Sequence, residues 1–319
     1  MAMQRLEMVT PETAGDPMGA RKWVRSSWRQ LRQRLAHTGH AVSAPTVSRL
    51  LKKHDDARRV NAKEKEARSQ HPDRDTQFLY IEAQKQAFTA AGCPIISVDT
   101  KKKELLGDFK NAGQVWCQQS ITVNVHDFPG DALGRAVPDG IYDLQRNEGA
   151  VYVGTSADTP EFAVTAMTRW WAQRGCLASP AAPQLLILAD AGGSHGCRPR
   201  LWKAALQSQL SDRLGLPVTV CHDPTGCAKW NPIEHRLFSP ISLTWAGQPW
   251  RTVEIMLGYL RATTTTTGLR VTASLLEGGY QTGTRIADAV MKTLQVDQHV
   301  VCPQWNDTIR PRVHGALTT

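Results

Sequence analysis

The chain has 319 residues, 41% hydrophobic and 21% charged, and its 38 basic against 29 acidic side chains leave a formal charge of +9. That length supports one large core with a small accessory domain, and the basic excess favours polyanionic partners without specifying a fold. No apolar run reaches membrane length, no signal-peptide pattern is present, and seven scattered cysteines (93, 117, 176, 197, 221, 227 and 302) argue against a disulfide framework and for reduced thiols in a cytoplasmic protein.

Residues 21–54 read as two short helices. Trp28, Leu31 and Leu35 share one face of the first, and Gly39 stops it. Ser43 caps the second, with Pro45 in its first turn. Val47, Leu50 and Leu51 face inward, while Thr46, Ser48, Arg49, Lys52 and Lys53 face out. A polar and basic helix after a glycine turn matches a helix-turn-helix, whose second helix enters the DNA major groove. Residues 55–75 form a charged, apolar-poor linker, and a helix over 77–91 then carries Phe78, Ile81 and Phe88 on one side.

The catalytic-core reading covers residues 76–250. Ile95, Ile96 and Val98 make a strand that Asp99 closes, directly ahead of Lys101, Lys102 and Lys103. Strands are expected at 104–109, 121–125, 140–144 and 150–153, the last two joined by a turn over Arg146, Asn147, Glu148 and Gly149. A helix follows over 159–174, then an apolar strand over 184–189 closed by Asp190, a helix over 199–213 and a strand over 217–221. Another helix begins at Trp230-Asn231-Pro232-Ile233-Glu234. This order predicts an α/β, RNase H-like mixed sheet flanked by helices and preceded by the small helix-turn-helix domain. A doubly wound nucleotide-binding fold wants a glycine-rich loop where the lysines stand. Residues 251–319 are expected as a helical extension and tail, with a threonine turn at 263–267, a short strand near 269–272 and a helix over 285–294.

Asp99 and Asp190 both sit where an apolar strand stops, and neighbouring strands would bring them together. Glu234 lies in the first turn of a later helix, where the dipole favours an anion. Three hard oxygen donors suit Mg²⁺ or Mn²⁺, and two such ions about 3.5–4 Å apart clamp the attacking and leaving oxygens of a displacement at phosphorus. Asp99 is placed to bridge both. Glu104, Asp108, Asp143 and Asp223 compete for membership of the trio. The lysines at 101–103 suit phosphate, and Trp230 suits stacking on a flipped base or core packing. His195 and His235 suit orienting a water, contacting the scissile phosphate or a structural hydrogen bond, and Arg236 suits DNA. Cys221, His222 and Cys227 supply only half of a zinc site.

These residues carry a family likeness. The chain resembles the ISAzo-type insertion-sequence transposases of the DDE, RNase H-like superfamily. The likeness rests on Val-Asp-Thr-Lys-Lys-Lys-Glu (98–104), Val-Asn-Val-His-Asp-Phe (123–128), Ala-Asp-Ala-Gly-Gly-Ser (189–194), Lys-Trp-Asn-Pro-Ile-Glu-His-Arg-Leu-Phe (229–238) and Trp-Asn-Asp-Thr-Ile-Arg-Pro (305–311). It covers residues 16–312 and implies catalytic and metal-binding acids at Asp99, Asp190 and Glu234. It also implies cleavage at the element's terminal inverted repeats, joining to target DNA, two metal ions, and at least a homodimer on DNA in the bacterial nucleoid. Against the family pattern the chain is short before the helix-turn-helix and short over 115–123, which implies N-terminal truncation and a trimmed sheet edge. A catalytically impaired DNA-binding relic and a nuclease without strand transfer are the alternative readings.

Overall fold

The computed structural model describes residues 13–15, 22–24, 27–53, 71–114 and 117–312, and divides into two compact units, residues 1–67 and 68–319. In the first unit, β1 (Thr13–Gly15) and β2 (Lys22–Val24) pair antiparallel. Helix α1 (Trp28–His37) starts at a capping box, in which Gln30 N–H donates to Ser27 Oγ at 3.3 Å and Ser27 N–H donates to Gln30 Oε1 at 2.7 Å. Helix α2 (Ala44–Lys53) packs Val47 on Leu31 and Leu35, with Val42 and Leu51 at the margin. Trp28, expected on that inner face, is the first helical residue and stays 37% exposed. Most of the linker, residues 54–70, lies outside the described residues.

The second unit begins with α3 (Arg74–Ala90) and is built on a nine-stranded sheet. Strands β3 (Ile95–Thr100), β5 (Gly134–Asp143) and β6 (Glu148–Gly154) form an antiparallel meander, with β4 (Glu104–Leu106) paired to the start of β5. On the other side of β3, β7 (Leu185–Asp190) and β8 (Val218–Asp223) run parallel to it. The central order β6-β5-β3-β7-β8, three antiparallel strands then two parallel ones, is that of an RNase H-like domain. Helix α4 (Pro160–Trp170) and α5 (Arg200–Ala205) cover one face, burying Phe162, Met167, Trp170, Trp202 and Leu206 against Ile96, Val98, Ile141, Ile187 and Val220. The opposite face takes α3 through Ile81 and Phe88, and beside it the segment Glu234–Phe238, α6 (Ser239–Thr244) and α7 (Val253–Ala262).

Several sequence expectations change here. Residues 121–125 form no strand: Asn124 N–H donates to Asp108 O at 2.7 Å, but no ladder forms, and Val125 is 91% exposed. The hairpin turn sits two residues earlier than expected. Asn147 takes the left-handed backbone (φ 54°), which Asn tolerates, and Asp143 Oδ1 accepts from the N–H groups of Gln145 and Arg146. Glu148 and Gly149 are therefore strand residues. The helix expected over 285–294 shrinks to α8 (Asp288–Met291).

The C-terminal stretch is also more than a helical extension. It adds β9 (Arg270–Leu275) beside β6, and β10 (Val296–Gln298) and β11 (Asn306–Ile309) beyond β8. Strand β11 reads as polar because its buried groups are met by partners from far away. Lys203 pairs with Asp307, Thr308 and Thr219 share a hydroxyl bond at 2.8 Å, and Asn306 exchanges amide bonds with Gln77 at 2.6 and 2.7 Å. Among the described residues no helix is long and apolar enough to cross a membrane, and the seven cysteines are free thiols.

Asn306→Ala would leave the buried Gln77 amide short of partners, so a loss of about 1–3 kcal/mol is expected. Urea unfolding of the full chain measures it, and an unchanged midpoint would show that the amide pair does not hold α3 to the sheet.

Candidate active site

Alternate residues of a strand point to opposite faces. In β3, Ile95 packs in the cluster under α3, so Ser97 and Asp99 look the same way. In β7 the same side is marked by Leu186 and Leu188, and hence by Asp190; in β8 it is marked by Cys221, and hence by Asp223. Register then sets the level. Ser97 pairs with Leu188, and Asp99 and Asp190 each lie two residues further on; Asp190 pairs directly with Asp223. Three acids thus stand in a row across the carboxyl ends of three neighbouring strands.

The segment carrying Glu234 is pinned beside that row. Asn231, fully buried, donates from Nδ2 to Val98 O at 3.1 Å and accepts from Ser97 Oγ, and that same oxygen accepts from Ile233 N–H at 3.0 Å. The sheet also leaves room for the helix. Gly140, paired with Asp99 across β3 and β5, lies so close to the helix that an added Cβ would come 2.5 Å from the Phe238 ring and 3.0 Å from Ile233. Gly149 makes the same space for Leu237. Asn231, Ser97 and these two glycines were not picked out as site residues in the sequence, although Asn231 stands in the motif that holds Glu234.

The electrostatics follow from the crowding. Burial pushes the Asp99 carboxyl up to about 7, with the charges of Glu234 and Asp190 adding to the rise and His195 and the Thr100 N–H opposing it. Burial likewise pushes Asp223 up to about 8, reinforced by Asp190 and Asp99. Asp190 Oδ1 and Asp223 Oδ2 are buried with no hydrogen-bond partner. Among the described residues no three His, Cys, Asp or Glu side chains already stand close enough together to hold a metal ion. The donor set nevertheless fits a hard divalent cation: its members are carboxylate oxygens, they feel one another's charge, and two oxygens have nothing else to bind.

The family described as Rhodopirellula transposase DDE domain matches residues 5–311. The chain belongs to that family. It is a DDE transposase, of a class that cleaves DNA and transfers strands with a divalent metal. Among solved structures it is similar to the Mos1 transposase paired-end complex with left transposon end, at 14% identity over 82% of this chain and 69% of that one, with a TM-score of 0.42. It is also similar to the Mos1 mariner paired end complex with Mn (13% identity, 81% and 77% coverage, TM-score 0.43) and to the Mos1 strand transfer complex (13%, 82% and 69%, 0.41). No curated protein matches the chain.

Within the transposase, the sequence-level competitors separate cleanly. Glu104 faces Lys102 at 3.7 Å, Asp108 pairs with Arg251 at 2.5 Å, and Asp143 holds Arg146 at 3.1 Å and caps the hairpin turn. Asp223 alone of the four joins the row. Lys101 turns toward the Glu234 segment: its ammonium donates to Ser242 Oγ at 2.8 Å and lies 5.3 and 5.5 Å from the Trp245 and Phe238 ring centres, and burial lowers its pKa. Lys102 is exposed, and Lys103 pairs with Asp158 at 3.2 Å. Trp230 is 55% exposed, edge-on to Phe78 and under Lys229 Nζ; His235 and Arg236 are exposed beside it, with His235 Nε2 against Lys229 O. In the first unit Arg49 and Lys52 are exposed and Ser48 half-buried, while the Thr46 hydroxyl is tied to Ser43 Oγ at 2.9 Å in the helix cap.

His195 is buried on the far side of the sheet. Its Nε2 lies 3.2 Å from Asp139 Oδ1, too poorly aligned for a hydrogen bond, and its Nδ1 lies 3.2 Å from Ser194 Oγ. Burial alone would pull this imidazole down, but the Asp139 charge, helped by Asp99 and Asp158, holds it above its ordinary value. Of the roles open to His195 in the sequence, this is the structural one, a charge-balancing position within the fold.

Asp99 and Asp223 hold protons more tightly when folded than the ordinary value of 3.8 allows when unfolded. The metal-free protein should therefore lose stability as pH rises from about 4 to 8, with a higher Tm at pH 5 than at pH 8, and Asp99→Asn should flatten that slope. A metal-free Tm that rises over this window would contradict it. Gly140→Ala should push the Glu234 segment off the sheet and cut DNA cleavage by about a hundredfold, while circular dichroism stays that of a folded α/β chain. Wild-type cleavage in this variant would show that the close approach does not matter.

Proposed function

We propose that Asp99, Asp190 and Glu234 are the catalytic acids and that they hold two divalent ions, Mg²⁺ or Mn²⁺, for cleavage at the terminal inverted repeats of an insertion sequence and joining of those ends to target DNA. The observation that carries this reading is the row of strand-end carboxylates with the Glu234 segment pinned beside it. When bound, such ions supply the positive charge that makes water or a 3′-hydroxyl nucleophilic at neutral pH and steadies the leaving oxygen.

The chain's own residues do the positioning. Asn231 and Ser97 fix the entry of the Glu234 segment, and the apolar layers on both faces keep the strand ends rigid. Lys102, Lys103, Trp230, His235 and Arg236 are offered to the DNA around the scissile bond, with Lys101 braced behind them against Ser242. Arg49 and Lys52, with Ser48 and Thr46 on the same helix, serve recognition of the inverted repeat. Pairing two ends calls for at least two copies of the chain.

A labelled duplex carrying the element's ends, incubated with the full chain and Mg²⁺, should yield free 3′-hydroxyl ends and joined products. Asp99→Asn should lower cleavage by at least about a hundredfold while leaving DNA binding intact. Cleavage that persists in Asp99→Asn, or binding without cleavage by the wild-type chain, would defeat the proposal. Arg49→Ala and Lys52→Ala should each reduce the salt dependence of binding by about one ion.

A further inference from the structure

We propose that Asp223 is a fourth carboxylate of this centre and takes a hard divalent cation together with Asp190. The inference rests on the reading of Asp190 as a metal ligand, and it adds a residue which that reading does not contain.

Asp190 and Asp223 are paired residues of adjacent parallel strands, so their side chains leave the same face at the same level. Asp223 is 6% exposed, and its Oδ2 is buried without a hydrogen-bond partner; Asp190 Oδ1 on the neighbouring strand is in the same condition. An acid at a strand end usually takes backbone N–H groups of the following turn. Asp223 Oδ2 takes none of them. Nor is a salt bridge at hand: Lys85, whose charge reaches Asp223, is bonded to Glu82 at 2.7 Å.

Glu104, Asp108 and Asp143, by contrast, each have a cationic partner. Two unpartnered oxygens side by side at a strand edge are costly in a protein and favourable next to a cation. Oxygen donors from two rigid strands suit Mg²⁺ or Mn²⁺, which keep waters in their remaining positions.

Mn²⁺ binding to the full chain without DNA, followed by the electron paramagnetic resonance signal of free Mn²⁺, tests this. Asp223→Asn should weaken Mn²⁺ binding by about tenfold or more. Wild-type Mn²⁺ affinity in Asp223→Asn would overturn the proposal. Wild-type affinity in Asp99→Asn and Asp190→Asn would instead defeat the underlying reading, so the two failures are distinguishable. Should Asp223→Asn not fold, Asp223→Cys replaces it: a thiolate ligand shifts preference from Mn²⁺ toward Cd²⁺, and an unchanged Cd²⁺-to-Mn²⁺ preference overturns the proposal equally.

Discussion

Like charges held at one level on neighbouring strands are the constraint around which this transposase is built. Strands lie about 4.8 Å apart, so Asp99, Asp190 and Asp223 are forced into mutual repulsion by the hydrogen-bond register itself. A sheet tolerates that only if its strands cannot slide or splay. Apolar layers on both faces, and β11 laid against β8, prevent both movements. The consequence remains local, in carboxyl pKa values raised by burial and further by neighbouring charges, and in oxygens without donors, where a divalent cation would be favourable.

The position of Glu234 depends on shape more than on charge. A helix can approach a sheet closely only where side chains are missing, and Gly140 lies directly beside Asp99 in the register. Ile233, Leu237 and Phe238 fill the space over Gly140 and Gly149, while Asn231 and Ser97 lock the first turn to β3. Glu234 is thereby tied to the strand that carries Asp99, through buried hydrogen bonds and not through a flexible loop.

Much of this could be read from the chain. The apolar runs ending in Asp99 and Asp190 are strands that end where expected, and strand and helix order alone indicated the RNase H-like sheet. What escaped reading depends on distant partners. Strand β11 looked like a polar tail because Asn306, Asp307 and Thr308 are satisfied by Gln77, Lys203 and Thr219, none of them near in sequence. Residues 121–125 alternate like a strand but make only an isolated backbone bond, from Asn124 to Asp108, and join no ladder. Asp223 could be named only as one of four acids competing for a place in the trio, since nothing local reveals that Asp190 is its register partner or that its oxygen lacks a donor. Lys101 looked like its two neighbours, and only the fold shows it turned toward Ser242 and Trp245.

The central claim is that carboxylates from β3, β7 and the Glu234 segment share cations at one edge of the sheet. Anomalous scattering from Mn²⁺-soaked crystals of the wild-type chain tests it most directly. Manganese peaks about 2.1 Å from oxygens of Asp99 and Asp190, with Glu234 in the same coordination shell, are the predicted result. Manganese bound elsewhere, with no peak at the carboxyl ends of β3 and β7, would contradict it.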